Sequence, residues 1–381
     1  MTELKQIGEM VQARTLNLQR ASADLVARGL EELARLELDP RLAGLIGQLR
    51  QSEDWDQRIT AWQKLRELGP AVPGWREALR ELIYHGDGWA RILASEALAW
   101  HGCCPADTVP VLIAAVDASL DLRRHDWARA ACGALGKYSG LPKPLTVQAL
   151  PVLLRGLSAE NHDVRGYAAM ALGNLGKASR SALVKIANLL DRAEGALSEC
   201  YLEALRKIDP AIDSAMDAWV SALDHDDPAI RADAVSAIGR KGNGASRAVP
   251  DLLRMAQDYN AEVRKMVALA LARIEVANQS VLTRLQHLSS DSDPAVRLAS
   301  VYALFKLGDR ADERIKQLRA GLGESEPAAR LLCAWALGNC GSAAGWLTRR
   351  ALARALRREQ VDEVRSELER ALMELKHPSR P

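Results

Sequence analysis

Three His-Asp dipeptides, His125-Asp126, His162-Asp163 and His225-Asp226, and the run His101-Gly102-Cys103-Cys104 offer side chains able to hold a metal ion or pass a proton. Imidazole and thiolate suit zinc and softer metals, and a neighbouring carboxylate can complete such a set. The spacing does not support it. Cys103 and Cys104 have no second ligand pair, and the chain contains no Cys-x-x-Cys, no His-Glu-x-x-His and no glycine-rich phosphate loop. The expectation is therefore no catalytic residue, no metal and no bound cofactor, in a chain that is not an enzyme.

A second pattern suggests non-covalent chemistry. Lys207, Arg240, Arg273 and Lys306 recur every 33 residues, with Lys137 ahead of them as the start of a basic row. Beside the C-terminal half of this row stand Met266, Leu269, Tyr302, Leu332 and Trp335. Aromatic, methionine and arginine side chains are enriched in interface cores. These nine residues (Lys207, Arg240, Met266, Leu269, Arg273, Tyr302, Lys306, Leu332 and Trp335) predict a docking groove for an acidic, partly apolar protein segment. Two plainer readings stand beside it. Cations at helix C-termini interact favourably with the helix dipole without any ligand, and the apolar group fits equally well as packing between repeats. Tyr302 and Trp335 occupy equivalent slots, so their rings are expected roughly one helix spacing apart, about 8–10 Å.

The elements that position these residues come from one repeated sentence, Asp-x-x-[Val/Ile]-Arg-x-x-Ala-x-x-Ala-Leu-Gly-x-x-Gly. Its arginine falls at Arg58, Arg91, Arg165, Arg231, Arg264, Arg297, Arg330 and Arg365, with Ala128 and Ser198 in the same slot. Six positions on stand Ala97, Ala134, Ala171, Ala204, Ala237, Ala270, Ala303, Ala336 and Ala371. A fixed period of this size means stacked units rather than one globular core. Each copy reads as a helix. Asp54, Asp87, Asn161, Glu194, Asp227, Asn260, Asp293 or Glu326 stands at the N-cap, and Gly69, Gly102, Gly176, Gly242, Gly308 or Gly341 stops it. A second amphipathic segment precedes each copy, at 109–118, 149–157, 180–191, 212–223, 246–257, 281–289 and 312–320. Each unit is thus helix A, turn, helix B.

Asp163-Val164-Arg165 running to Ala171-Leu172-Gly173-Asn174-Leu175-Gly176 resembles the HEAT-like repeat, in the short bacterial form found in phycobilin lyase subunits, and Asp293-Pro294-Ala295-Val296-Arg297 resembles it again. The resemblance covers roughly 54–375. It implies an all-α, right-handed αα-superhelix, a solenoid of about ten helix pairs with the B helices on the concave face. It also implies that the motif Asp and Arg are structural, bridging adjacent repeats. The organisation expected is an N-terminal helical cap over 1–38, a solenoid over 39–341, and C-terminal capping helices with a short tail over 342–381.

Composition fits. With 51 basic and 49 acidic residues the formal charge is +2, which is no global nucleic-acid signature. No apolar run reaches the ~20 residues of a membrane span. The first residues lack the apolar core of a signal peptide, so a cytoplasmic protein is expected. Residues 3–36 read as one long helical stretch with Leu4, Val11, Leu18 and Leu25 seven apart. Steps of 37 residues around Ala128 place insertions near 118–125 and 139–147, where solenoids often carry binding lips. Arg349, Arg350, Arg354, Arg357 and Arg358 form a basic strip. The leading function is a non-catalytic protein–protein interaction scaffold. One alternative is a nucleic-acid binder resembling HEAT-like DNA glycosylases, for which row and strip must face one groove. The other is a lyase-type subunit acting on a chromophore-bearing protein.

Overall fold

The computed structural model describes residues 6–13 and 39–376, all of it helices and connecting turns, with no strand among the described residues. The expected long N-terminal helix is described only over 6–13, where Ile7 and Val11 are buried; its heptad positions Leu18 and Leu25, like the tail 377–381, lie outside the described residues. The chain divides into two units, Met1–Ala215 and Met216–Pro381.

Each unit is a stack of helix pairs. Among the described residues the first contains Pro40–Gln51 with Trp55–Leu68, Trp75–His85 with Gly88–Trp100, Pro105–Asp121 with His125–Leu135, Lys143–Gly156 with His162–Asn174, and Leu183–Leu190 with Ala196–Ile208. The second contains Ala215–Ala222 with Pro228–Arg240, Val249–Met255 with Ala261–Ile274, Gln279–Leu288 with Pro294–Lys306, Ala311–Gly321 with Pro327–Gly338, and Gly345–Arg358 with Asp362–Lys376. The solenoid of helix pairs read from the period is what each unit forms, with ten pairs in all among the described residues. No helix among the described residues is long and apolar enough to cross a membrane.

Close packing of neighbouring B helices explains the Ala-Leu-Gly signature. The alanines six positions after the arginine slot are all buried. The glycine two further on lies against the next repeat's alanine: a Cβ built on Gly239 would sit 2.8 Å from the Cα of Ala270, and one on Gly173 would sit 2.8 Å from the Cα of Ala204. That glycine is a contact residue. The helix stop comes three residues later, in the left-handed region, at Gly242 (φ 53°) and its equivalents; Glu275 takes that conformation in the one full motif without glycine there (φ 59°).

In the second unit the motif arginine has two jobs. Its Nη1 donates to the backbone carbonyls five and six residues earlier, closing the turn between helices A and B. Arg231 holds His225 and Asp226 this way at 2.8 and 2.9 Å, and Arg330 holds Glu324 and Ser325 at 2.9 and 2.8 Å. Its Nε and Nη2 grip an acid of the following repeat: Arg231 with Asp258, Arg264 with Asp291, Arg330 with Glu359. Hydrogen bonding from Arg330 holds the Glu359 carboxyl down at about 2. The resemblance made the motif Asp the bridging partner, and this is corrected here. That residue is the N-cap: Asp227 accepts from the Ala229 N–H, and Asp293 from those of Ala295 and Val296. The bridge to the preceding arginine belongs to the acid two residues before it. Asp87 does both, capping its helix and bonding to Arg58.

Two expected caps are not formed. Helix Ala196–Ile208 starts from Gly195 rather than Glu194, and Glu326 makes no side-chain cap bond. Glutamate's extra methylene carries its oxygens past the amides that an aspartate reaches. The ladder also breaks in the first unit. The acid slot facing Arg165 holds Arg192, and Arg165 Nε is buried without a partner.

The insertions resolve into structure. The first lengthens helix A of its repeat to Pro105–Asp121. The second forms the turn after His125–Leu135, where buried Tyr138 bonds through its hydroxyl to the Cys103 carbonyl (2.7 Å) and the Thr108 hydroxyl (2.5 Å).

Candidate functional site

In the second unit, consecutive B helices and the turns after them line an open cavity of about 470 Å³. Arg240 comes from Pro228–Arg240. Leu269 and Arg273 come from Ala261–Ile274, Tyr302 and Lys306 from Pro294–Lys306, and Trp335 from Pro327–Gly338. The 33-residue period does this: one slot per repeat lands on one face, so residues distant in sequence become neighbours. Gly239 and Ala272 also line the cavity and leave space by lacking bulk.

Six of the nine residues named from sequence thus meet. Leu332 is 8% exposed and Met266 half-buried, and neither lines the cavity; each lies one turn nearer the start of its helix than Trp335 and Leu269, which do. Lys207 belongs to the first unit, where it pairs with Glu203 at 2.8 Å.

The rings of Tyr302 and Trp335 are closer than helix spacing alone suggests. Their centroids lie 4.9 Å apart at 61°, edge against face. The helix axes set the spacing of backbones, and both side chains lean into the gap between them. Tyr302 is 7% exposed, and burial pushes its phenol up to about 12, so it stays neutral at physiological pH.

Charge is unbalanced here. Arg273 and Lys306 are exposed and form no ion pair among the described residues, whereas Arg264 and Arg330 on the opposite face are each clasped by a carboxylate. Glu275 is the single acid on the rim. The arginines of the strip on Gly345–Arg358 are exposed and none lines this cavity. No group of three or more His, Cys, Asp or Glu side chains among the described residues is placed to hold a metal ion.

A family model described as HEAT repeats matches residues 216–304 and 281–373, and one described as a HEAT-like repeat matches 128–175, together more than half of the chain. The chain belongs to the HEAT-like repeat family. Among solved structures, an engineered protein is 21% identical over 89% of this chain and 99% of its own, with a TM-score of 0.33. The complex of CpcE and CpcF of phycocyanin lyase from Nostoc sp. is 17% identical over 59% of this chain and 94% of that one, with a TM-score of 0.32. Kap121p bound to Pho4p is 16% identical over 98% of this chain and 45% of that one, with a TM-score of 0.34. No curated protein matches.

The HEAT repeats of the first unit carry a second cavity, of about 500 Å³, that the site residues chosen from sequence do not include. Trp62, Arg66, Glu96, Trp100, Arg129 and Lys137 are among its lining. A signal for it existed: Glu96, Trp100, Lys137, Tyr167, Met170 and Asn174 occupy the same repeat slots that mark the other cavity. Trp62, Arg66 and Arg129 lie off those slots and enter through their length.

Proposed function

We propose that this HEAT-repeat protein is a non-catalytic interaction scaffold that docks an acidic, partly apolar segment of a protein partner in the cavity of its second unit. One observation carries the reading. Arg273 and Lys306 line the same cavity as the Tyr302–Trp335 pair with no carboxylate paired to them among the described residues, in a protein that pairs its structural motif arginines closely. A partner's Asp or Glu side chains would meet these cations while an apolar neighbour covers the half-buried Trp335. Met266, Leu332 and Lys207 have no part in it.

The test is a fluorescence-anisotropy titration with labelled peptides of Asp, Glu, Leu and Phe, alongside a duplex DNA of matching charge, near physiological salt. Trp335→Ala should weaken peptide binding by about 2 kcal/mol or more, as interface anchors do, with little change in melting temperature. Arg273→Glu with Lys306→Glu should abolish it. Phosphate contacts give steep salt dependence, so sub-micromolar DNA binding lost on the same substitutions would transfer the site to the nucleic-acid reading. A melting loss corresponding to roughly 3–5 kcal/mol for Trp335→Ala, with peptide binding by the folded fraction unchanged, would mark Trp335 as packing alone.

A further inference from the structure

In the first unit, Glu96 lies one turn before Trp100 on the helix Gly88–Trp100 and lines the second cavity. It is 8% exposed, yet its carboxyl makes no hydrogen bond and no ion pair among the described residues. A buried carboxyl without partners is costly unless it is neutral or something else completes it. The surroundings indicate what completes it. Arg66, Arg129 and Lys137 line the same cavity and none forms an ion pair among the described residues. They rest on aromatic rings instead: Arg66 Cζ lies 4.7 Å from the Trp62 centroid and 4.3 Å from that of Trp100, Lys137 Nζ lies 4.1 Å from Trp100, and Arg129 Cζ lies 6.0 Å from Tyr167. Three cations thus share the cavity lining with one carboxyl, so the cavity carries net positive charge whichever protonation state Glu96 adopts.

The walls are apolar and open. Trp100, Tyr167 and Met170 are 50%, 41% and 40% exposed, values high for such large side chains. Gly133 leaves room here, and the Tyr167 ring lies against it, 3.1 Å from where a Cβ would stand. Cations already occupy Trp100, so a stacking base would have to displace them. An anion carried on an apolar stem meets the cations where they are.

We propose that this cavity captures a carboxylate of an acidic, apolar-flanked peptide segment, with Arg66, Arg129 and Lys137 balancing its charge and the Glu96 side chain hydrogen-bonding to it. The site takes the same class of partner as the proposed function but shares no residue with that cavity. Proton linkage follows from the geometry, because an ionised Glu96 would repel the incoming carboxylate. Burial pushes the Glu96 carboxyl up to about 7, against a smaller opposing pull from Arg66. The charged groups that line the cavity with it are Arg66 from Trp55–Leu68, which acts on it directly, Arg129 from His125–Leu135 and Lys137 just beyond that helix; Trp75–His85 and Pro105–Asp121 contribute none to the lining. Peptide carboxylates titrate near 4, well below this window.

The experiment uses the full chain carrying Arg273→Glu and Lys306→Glu, so that it reads this cavity whether or not the other one binds. The probe is a fluorescein-labelled pool of octapeptides built from Asp, Glu, Leu and Phe, compared with a single-stranded DNA of equal charge. Saturable peptide binding is expected at pH 6, about tenfold weaker at pH 8 because one proton is lost from a site titrating near 7. Glu96→Gln should hold the pH 6 affinity at both pH values. Lys137→Glu should weaken binding at least tenfold at both, and Arg129→Glu serves where the first variant melts early. Absence of saturable peptide binding at pH 6, affinity indifferent to pH, unchanged affinity in both charge-reversal variants, or preference for the DNA would each overturn the proposal.

Discussion

Arg264 and Asp291, 27 residues apart, meet through two parallel hydrogen bonds of 2.8 Å, Nε to Oδ2 and Nη2 to Oδ1. The third guanidinium nitrogen, Nη1, holds the carbonyls of Asp258 and Tyr259 at 2.8 and 3.2 Å. One side chain thus ties two turns of chain: its own repeat's A–B connection and that of the repeat after. Asp258, whose carbonyl Arg264 holds, gives its carboxylate to Arg231. The ladder is therefore continuous through the second unit, and its side chains are mostly out of solvent.

Removing one partner of this pair leaves the other poorly solvated. Arg264→Met should destabilise by about 2–4 kcal/mol, less than a fully buried pair because both side chains keep some exposure, 15% and 10%. Asp291→Asn should cost less, since the amide oxygen still accepts one bond. A double-mutant cycle in urea checks it, and additive losses would mean that the two residues act separately.

Two glycine-to-alanine changes should differ in sign. Alanine is worth about 1 kcal/mol over glycine inside a helix. Gly47 in Pro40–Gln51 has nothing within 4 Å of a built Cβ, so Gly47→Ala should raise the melting temperature. At Gly239 the same methyl would meet Ala270 at 2.8 Å, and overpacking of this kind costs about 1–3 kcal/mol. Gly239→Ala should therefore lower it. Differential scanning calorimetry on the two variants decides, and stabilisation by both would remove the close-approach account of the Ala-Leu-Gly signature.

Glu96 should make the fold pH-sensitive on the alkaline side. A carboxyl raised on folding contributes stability below its unfolded pKa and loses it as pH rises through the folded one. For Glu96 that window runs from 4.5 to about 7. At ~1.4 kcal/mol per unit the loss is on the order of 3 kcal/mol at most. Glu96→Gln should melt higher than the natural chain at pH 8 and lose that advantage at pH 5. An equal shift at both pH values would show that the carboxyl does not titrate in this range.

The sequence by itself determined the repeat. A period of 33 with Arg, Ala, Leu and Gly in fixed slots allows one local solution, a capped helix pair that buries its apolar stripe only against the next copy. That is why the helix pairs, the proline and aspartate starts, the glycine stops and the shared face of Arg240, Arg273, Lys306, Tyr302 and Trp335 were all readable. Tertiary structure decided what those faces touch. Slot spacing could not reveal that the bridging acid stands two residues before the cap, because in Asp291 with Asp293 and in Glu324 with Glu326 both positions hold acids, in a turn whose path only packing fixes. Nor could it separate Leu332, buried, from Trp335, half-open, one turn away. The cavity around Glu96 was hidden for the same reason. Arg66, Arg129 and Trp62 reach it from outside the repeat slots, and whether a long side chain turns toward a neighbour's ring or toward water depends on where that ring has been placed.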